Sequence, residues 1–126
     1  MTNSEKLTDL SDSELLRYSR QIMLPKFDVS GQLSLLNSRV LIMGMGGLGS
    51  PVAMYLAAAG VGNLCLADDD IVEDSNLQRQ VIHRESSIAE LKVDSAALVL
   101  EEINPHIQIE KFPTRLSGAA LLKAVS

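Results

Sequence analysis

Four glycines, Gly44, Gly46, Gly47 and Gly49, directly follow a short apolar run at residues 40–43. Gly44 permits a sharp exit from a strand, and Gly49 lets the next helix pack closely on the sheet. Gly46 and Gly47 let a phosphate approach the backbone, whose free N–H groups lie at the positive end of the helix dipole. This order predicts a nucleotide-phosphate site. A glycine-rich connector in an α/β protein is the alternative, because the spacing alone is weakly specific.

The glycine loop carries no cation of its own. Its spacing also fits a P-loop, but Ser50 stands where that motif has lysine. The positive charge that a phosphate needs must therefore come from elsewhere. Lys92 is a candidate, because it lies near the start of a predicted helix, where the dipole disfavours a cation unless an anion offsets the cost. A lysine side chain that reaches water is the alternative.

Polar residues after the second apolar run are suited to bind a nucleotide. Asp68 follows Gly49 by about 20 residues, the interval at which a Rossmann unit presents an acid to the ribose hydroxyls. Asp70 is a second candidate, and a solvated acidic turn is the alternative for both. Residues 73–80 add hydrogen-bond donors beyond the carboxyl end of a strand, where open α/β sheets bind ligands. These donors are Asn76, Gln78, Arg79 and Gln80.

Alternating apolar runs and amphipathic segments would position these residues. Strands are predicted at residues 40–43, 64–67 and 107–112. Helices are predicted from Ser11 to before Pro25, over residues 27–37 and 52–59, from Ser87 to Ile103, and from Ser117 onward. Residues 11–14 and 87–90 have the spacing of a capping box.

This order predicts one mononucleotide-binding half of a Rossmann-like α/β fold: three parallel strands, helices on both faces and an N-terminal helical arm. Residues 1–38 would form the tail and arm, and residues 39–126 the nucleotide-binding half. Right-handed crossovers give the strand order 3-2-1, with the first strand at the edge. Because that strand is as apolar as one with two neighbours, we expect a truncated piece of a longer protein, or an edge that another subunit covers.

Composition narrows the classes of function. The 126 residues predict one domain, and a net charge of −5 argues against nucleic acid and membrane surfaces as partners. No apolar run approaches the roughly 18 residues of a membrane span, and the polar start is unlike a signal peptide, so a cytoplasmic location is expected. Cys65, the only cysteine, is expected to be an inert core thiol. With His83 and His106 far apart, no metal site is predicted.

Seven stretches carry a resemblance to a known family. They are residues 16–22 (LRYSRQI), the glycine loop 44–49, residues 59–62 (AGVG), 68–70 (DDD) and 75–80 (SNLQRQ), Lys92, and residues 103–105 (INP). Together they resemble the ubiquitin-activating-enzyme-like adenylyltransferases of the ThiF/MoeB type, which activate sulfur-carrier proteins for molybdopterin or thiamine synthesis. The resemblance covers residues 12–126, and the ordered set is far more specific than any one stretch.

The resemblance implies that the C-terminal glycine carboxylate of a ubiquitin-like carrier, ending in Gly-Gly, attacks the α-phosphate of ATP to give an acyl adenylate. Such an enzyme needs positioning and charge stabilisation, and no nucleophile of its own. Arg20, Arg79 and Lys92 would be catalytic, with Arg20 inserted into the partner's site of a homodimer. The residues expected to bind ATP are Gly44, Gly46, Gly47, Gly49, Asp68, Asp70, Ser75, Asn76, Leu77, Gln78, Arg79 and Lys92.

Family members extend further than this chain. An Asp that binds Mg²⁺, Cys-x-x-Cys pairs for structural zinc and much of the carrier-binding surface are expected beyond Ser126, so the 126-residue chain alone should bind ATP weakly and catalyse poorly. Two alternatives stay open: an NAD-binding oxidoreductase half domain, which leaves Lys92 and Arg20 unexplained, and a non-catalytic dimerisation module. The pathway is also open, although residues 67–70 and 115–118 favour the thiamine type.

Overall fold

A parallel sheet forms the centre of the molecule. The computed structural model describes residues 7–47, 49–73, 77 and 82–125. Its strands are β1 (Arg39–Met43), β2 (Asn63–Ala67) and β3 (Gln108–Phe112). All pairing is parallel in the order β1-β2-β3, with Asn63 lying between Arg39 and Gln108. The predicted order 3-2-1 is confirmed, and with it the three-stranded Rossmann-like sheet.

Helices precede, connect and follow the strands. They are α1 (Asp12–Arg17), α2 (Ser19–Ile22), α3 (Asp28–Leu36), α4 (Gly49–Ala59), α5 (Lys92–Ile103) and α6 (Gly118–Val125). A 3₁₀ turn at Glu85–Ser87 precedes α5. None of the helices in the described ranges has the length and apolar character that a membrane span needs.

Alternating strand residues build a core on each face of the sheet, because successive side chains of a strand point in opposite directions. Ile42, Leu64 and Leu66 pack with α4 and α5 in the main core. Leu41 and Ala67 lie on the opposite face, where they pack with α6. The prediction of helices on both faces is therefore confirmed.

Cys65 lies on β2 and is 1% exposed. Burial raises the pKa of its thiol, although the charge of Arg39 opposes that shift. A buried thiol that resists deprotonation is a poor nucleophile. The structure confirms the expectation of a core cysteine.

The N-terminal arm, α1 to α3, is fastened to the carboxyl end of α4. Gln21 donates from Nε2 to the carbonyl of Ala59 (3.0 Å). Asn104 donates from Nδ2 to the carbonyl of Ala57 (2.8 Å) and to the hydroxyl of Tyr18 (2.6 Å). Gln21 thus supplies a donor to a carbonyl of the last helical turn, where backbone donors run out, and Asn104 adds a second donor to the Ala57 carbonyl, which also accepts from the Gly60 N–H (3.2 Å). The arm therefore serves as the C-terminal cap of α4.

The arm is not the single helix that the sequence predicts. Its capping box is present, since Ser11 Oγ accepts from the backbone N–H of Glu14 (3.2 Å). Tyr18 then divides the segment, with φ −99° and ψ 14°, and its side chain is only 2% exposed. The prediction of one helix up to Pro25 is wrong, because burying Tyr18 against Asn104 turns the chain between α1 and α2.

The second predicted capping box, at Ser87, does not form. Ile71 pairs with Leu91 in an antiparallel bridge, and Ala89 donates to the carbonyl of Val72 (2.8 Å). These tertiary bonds hold residues 88–91 in turns and a β-bridge instead of a helix, so α5 begins at Lys92 and not at Ser87. The predicted helix start is therefore wrong, since pairing with residues 71 and 72 overrides the local capping signal.

Candidate nucleotide-binding site

The glycine turn joins β1 to α4 at the carboxyl edge of the sheet. Gly44 has φ +92°, in the left-handed region that favours glycine. Its N–H donates to the carbonyl of Ala67 (2.7 Å), which extends the pairing of β1 with β2. A Cβ on Gly49 would overlap the carbonyl oxygen of Gly44. Helix α4 therefore begins directly against the end of the strand, with its N-terminus at the carboxyl edge.

Met45 is held at every polar atom of its backbone. Its N–H donates to Asp68 Oδ2 (2.7 Å), and its carbonyl accepts from the Ser50 hydroxyl (3.1 Å) and lies 2.7 Å from His83 Nε2. Ser50 is fully buried. At the position where a P-loop carries a lysine, this chain therefore uses a hydroxyl to fix the shape of the loop.

His83 is 3% exposed and contacts two elements of the site. Its Nδ1 lies 2.9 Å from Ser95 Oγ, and its Nε2 lies 2.7 Å from the carbonyl of Met45. Burial lowers the pKa of the imidazole, and the charges of Lys92 and Arg84 act in the same direction; the Met45 bond and Asp68 oppose them. His83 is therefore neutral at physiological pH.

Asp68 follows β2, and backbone donors hold its carboxylate. Oδ2 accepts from Met45 N–H (2.7 Å), and Oδ1 accepts from Asp70 N–H (2.8 Å). A carboxylate has about four acceptor positions, so each oxygen keeps capacity for a further donor. A cavity of ≈ 290 Å³ opens beside it, lined by Met43, Gly44, Ala67, Asp68, Asp69, Asp70, Thr114, Arg115 and Leu116. The geometry is suited to a ribose at this edge.

The carboxylates of residues 68–70 approach one another, with one oxygen from each within 4.8 Å of the others. Oxygen ligands suit Mg²⁺, but the carboxylate of Asp69 lies 3.9 Å from the Arg115 guanidinium Nε. Exposed acidic turns of this kind are common without a metal. We therefore assign no metal to these residues.

Lys92 is the first residue of α5 and is buried, with 8% of its side chain exposed. Its Nζ lies 3.8 Å from Asp70 Oδ2, at the outer limit of an ion pair, and the Asp70 side chain is 70% exposed. A buried cation at the positive end of a helix is costly without a close counter-charge. An anionic ligand would lower that cost, and this favours a phosphate over the alternative of a lysine that reaches water.

Arg20 lies away from this cluster. It belongs to α2 and is exposed, and among the described residues it has no hydrogen-bond or ion-pair partner. The arm is bound to the carboxyl end of α4, whereas the glycine turn lies at its N-terminus. The 11 residues of α4 span about 16 Å. The Arg20 side chain is therefore free to act at a site other than the glycine turn of its own chain.

Several predicted site residues lie outside the described part of the chain: Ser75, Asn76, Gln78 and Arg79. Leu77 is described and half-buried. Gly46 and Gly47 lie in the turn itself, where Gly47 is exposed. The residues that the structure does bring together at one edge are the glycine turn, Asp68, Asp70 and Lys92.

His83, Ser50 and the Met45 peptide are parts of the site that the sequence analysis missed. From the sequence, Ser50 was noted because it replaces the lysine of a P-loop, and no binding role was predicted for it. His83 was considered only with His106 as a metal ligand. A polar residue inside an apolar stretch was the available signal, since Ile82 and His83 are both buried.

A family model described as the ThiF family matches residues 18–126. The chain belongs to the ThiF family. This membership agrees with the resemblance that the ordered motifs indicate.

Relatives of the chain carry the names of adenylyltransferases. It is 50% identical over 120 residues to the molybdopterin-synthase adenylyltransferase of Escherichia coli, covering 95% of this chain and 48% of that protein. It is 55% identical over 103 residues to the adenylyltransferase and sulfurtransferase uba4 of Aspergillus niger, covering 82% and 21%. The chain thus spans about half of the bacterial relative and about a fifth of the fungal one.

Solved structures of similar fold agree with this family. The structure of PaaA superposes with a TM-score of 0.84 at 36% identity, covering 99% of this chain and 41% of that one. E. coli MccB, solved with ATP, superposes with a TM-score of 0.74 at 30% identity, covering 87% of this chain and 34% of MccB. Relatives named as adenylyltransferases favour nucleotidyl transfer over the NAD-dependent alternative.

Proposed function

We propose that the protein, as part of a larger enzyme, transfers adenylate from ATP to the C-terminal glycine of a ubiquitin-like sulfur-carrier protein. The observation that carries this proposal is the buried Lys92, whose Nζ lies 3.8 Å from Asp70 Oδ2 and which lies at the same sheet edge as the glycine turn. It provides the positive charge that the loop lacks at Ser50. The names of the relatives indicate the reaction.

The proposed reaction needs no nucleophile from this chain. A carboxylate oxygen of the carrier's last glycine attacks the α-phosphorus of ATP. An O–P bond forms, the bond between the α-phosphorus and the bridging oxygen breaks, and its electron pair leaves with pyrophosphate. The carboxylate is already deprotonated at neutral pH, so no general base is required. The protein supplies positioning and neutralises the charge that builds up on the leaving group.

Each residue has a role in this proposal. The N–H groups of Gly46 and Gly47 approach the phosphates, and Asp68 accepts the ribose hydroxyls with the capacity that its backbone bonds leave. Arg79, which lies outside the described residues, and Lys92 neutralise the charge moving onto pyrophosphate. Asn76, Ser75 and Gln78 belong to the same nucleotide-binding segment. Bound Mg²⁺ would neutralise phosphate charge further; its ligand, and those of zinc, are expected beyond Ser126.

The proposed partners are the carrier and a second copy of the protein. Arg20 is exposed at the end of α4 remote from its own glycine turn, which supports a role in the site of the other subunit of a homodimer. The relatives named for molybdopterin synthase favour that pathway over thiamine synthesis. We propose the cytoplasm as the compartment, on the composition given above.

The direct test is ATP–pyrophosphate exchange measured with the purified protein and a carrier that ends in Gly-Gly. Exchange should require the intact carrier terminus and should disappear when the last glycine is deleted. Arg79→Ala should slow exchange far more than it lowers the free energy of unfolding. Tight NAD binding without ATP binding would contradict the proposal.

The role of Arg20 has its own test. Arg20→Ala and Arg79→Ala should each abolish exchange, whereas a mixture of the two variants should regain part of it, because one site of a mixed dimer is intact. Arg17→Ala is the matched control on the same arm, since Arg17 is exposed and donates to the carbonyl of Ile103 (2.9 Å). No recovery in the mixture would place Arg20 outside the partner's site.

A further inference from the structure

His83 connects the two elements that would hold the phosphates. The carbonyl of Met45 can only accept a hydrogen bond, so Nε2, 2.7 Å away, must carry the proton. Nδ1 is then the acceptor, and the Ser95 hydroxyl donates to it over 2.9 Å. One neutral imidazole, 3% exposed, therefore bonds to the glycine turn on one side and to α5 on the other.

The bond to Met45 fixes the direction of the next N–H group. The carbonyl of Met45 and the N–H of Gly46 belong to one planar trans peptide, in which they point in opposite directions; the structure has no cis peptide among its described residues. Because His83 and Ser50 hold this carbonyl inward, the N–H of Gly46 points outward. An anion above the turn would meet that N–H.

The bond to Ser95 sets the distance to the lysine. Ser95 lies three residues after Lys92, in the first turn of α5. Its N–H donates to the carbonyl of Leu91 (3.0 Å), within that turn. The ring of His83 thus spans from the glycine turn to the turn of helix that carries Lys92.

We propose that His83 is a positioning residue for the nucleotide phosphates, which aims the Gly46 N–H and fixes the spacing between the glycine turn and Lys92. This inference rests on the ATP site proposed above and adds a residue that does not itself touch ATP. It differs from a packing role, because it requires a donor at Nε2 and not merely a ring of the right volume.

Two substitutions separate the donor from the ring. His83→Gln keeps a donor and an acceptor, whereas His83→Phe keeps a ring and removes both. Affinities for ATP and for adenosine are measured by calorimetric titration. We expect His83→Phe to lower the affinity for ATP by about tenfold or more, the order of a lost hydrogen bond. Its affinity for adenosine should change little. His83→Gln should retain most of the ATP affinity of the unmodified protein. His106→Phe, at a half-exposed histidine that contacts Ser13 (3.1 Å), should leave ATP affinity unchanged.

A measurement on the unmodified protein guards against variants that fail to fold. The ¹⁵N signals of the histidine ring should show the Nε2–H tautomer of His83. Observing the Nδ1–H tautomer, equal losses of ATP and adenosine affinity, or no rescue by His83→Gln would each overturn the inference. Absence of ATP binding by the unmodified protein would overturn the proposed function together with it, and this result is distinct from the other three.

Discussion

Replacing Gly49 by alanine tests whether the close approach of α4 to β1 shapes the nucleotide site. In an ordinary helix this change stabilises, by about 1 kcal/mol, because alanine has the higher helix propensity. Here the new Cβ would overlap the carbonyl oxygen of Gly44 and lie 3.0 Å from its carbon. Neither atom belongs to a flexible side chain, so the backbone of the turn must move.

The overlap should outweigh the gain in propensity. Inserting a methyl group into close-packed structure costs about 1–3 kcal/mol, and the Gly44 peptide resists displacement because its N–H is bonded to Ala67 (2.7 Å). We therefore expect Gly49→Ala to lower the free energy of unfolding by up to about 2 kcal/mol. The same movement would misplace the phosphate-binding turn, so ATP affinity should fall by about tenfold or more.

Urea denaturation measures the first quantity, and calorimetric titration with ATP the second. Gly31→Ala is the matched control, since Gly31 lies within α3 and the atoms nearest to its new Cβ belong to the Phe27 ring, with Cδ1 2.6 Å away. Because a side chain yields more readily than backbone, this variant should keep ATP affinity unchanged. If Gly49→Ala were as stable as the unmodified protein and bound ATP equally well, the assigned role of Gly49 would be wrong.

Three further predictions concern the site and the arm. Lys92→Met should leave the free energy of unfolding unchanged or higher, because it removes a poorly paired buried charge, while ATP affinity falls by about tenfold or more. Asn104→Ala should lower the free energy of unfolding by about 1–3 kcal/mol, since the buried Tyr18 hydroxyl loses the donor Asn104 and the Ala57 carbonyl keeps only its bond from Gly60. Because burial lowers the pKa of His83, the unfolded chain takes up that proton first as the pH falls below about 6.5, so stability should decline there by at most about 1.4 kcal/mol per pH unit.

For each of these predictions, one result would contradict it. Lys123→Met, at an exposed lysine of α6, should change neither ATP affinity nor stability, and a large stability loss in Lys92→Met would show that Lys92 is structural. If Asn104→Ala were as stable as the unmodified protein, the attachment of the arm would not depend on this residue. Urea denaturation at a series of pH values measures how stability falls below about pH 6.5. That fall should be smaller in His83→Gln than in the unmodified protein, and an equal fall would mean that other groups cause it.

Much of the fold follows from local pattern. The apolar runs, the glycine turn and the right-handed crossover rule predict the strand order and the helices on both faces of the sheet. The predicted capping box at Ser87 failed because the pairing of Ile71 with Leu91 is a contact between distant residues. The break at Tyr18 has the same origin, since its cause, Asn104, lies far along the chain.

The site was predictable only in part. Glycine spacing and the position of Asp68 indicate a nucleotide, and the position of Lys92 at a predicted helix start makes it a candidate cation. Arg20 acquires its role only through the resemblance of the whole set of motifs. The sequence could mark His83 as a buried polar residue, but its role was not predictable, because it depends on two hydrogen-bond partners, Met45 and Ser95, that no local pattern brings together. Such a residue becomes visible only when the chain is folded.

Helix α4 is clamped at both ends, and this makes its length a fixed quantity. Gly49 abuts the strand at one end, while Gln21 and Gln32 bond to the carbonyl of Ala59 at the other. One inserted or deleted residue would rotate one clamp by about 100° relative to the other and shift it by about 1.5 Å. The helix therefore acts as a spacer between the arm and the phosphate-binding turn. We expect an insertion between residues 49 and 59 to disrupt the site, whereas substitutions on the exposed face of the helix, such as at Tyr55, should be tolerated.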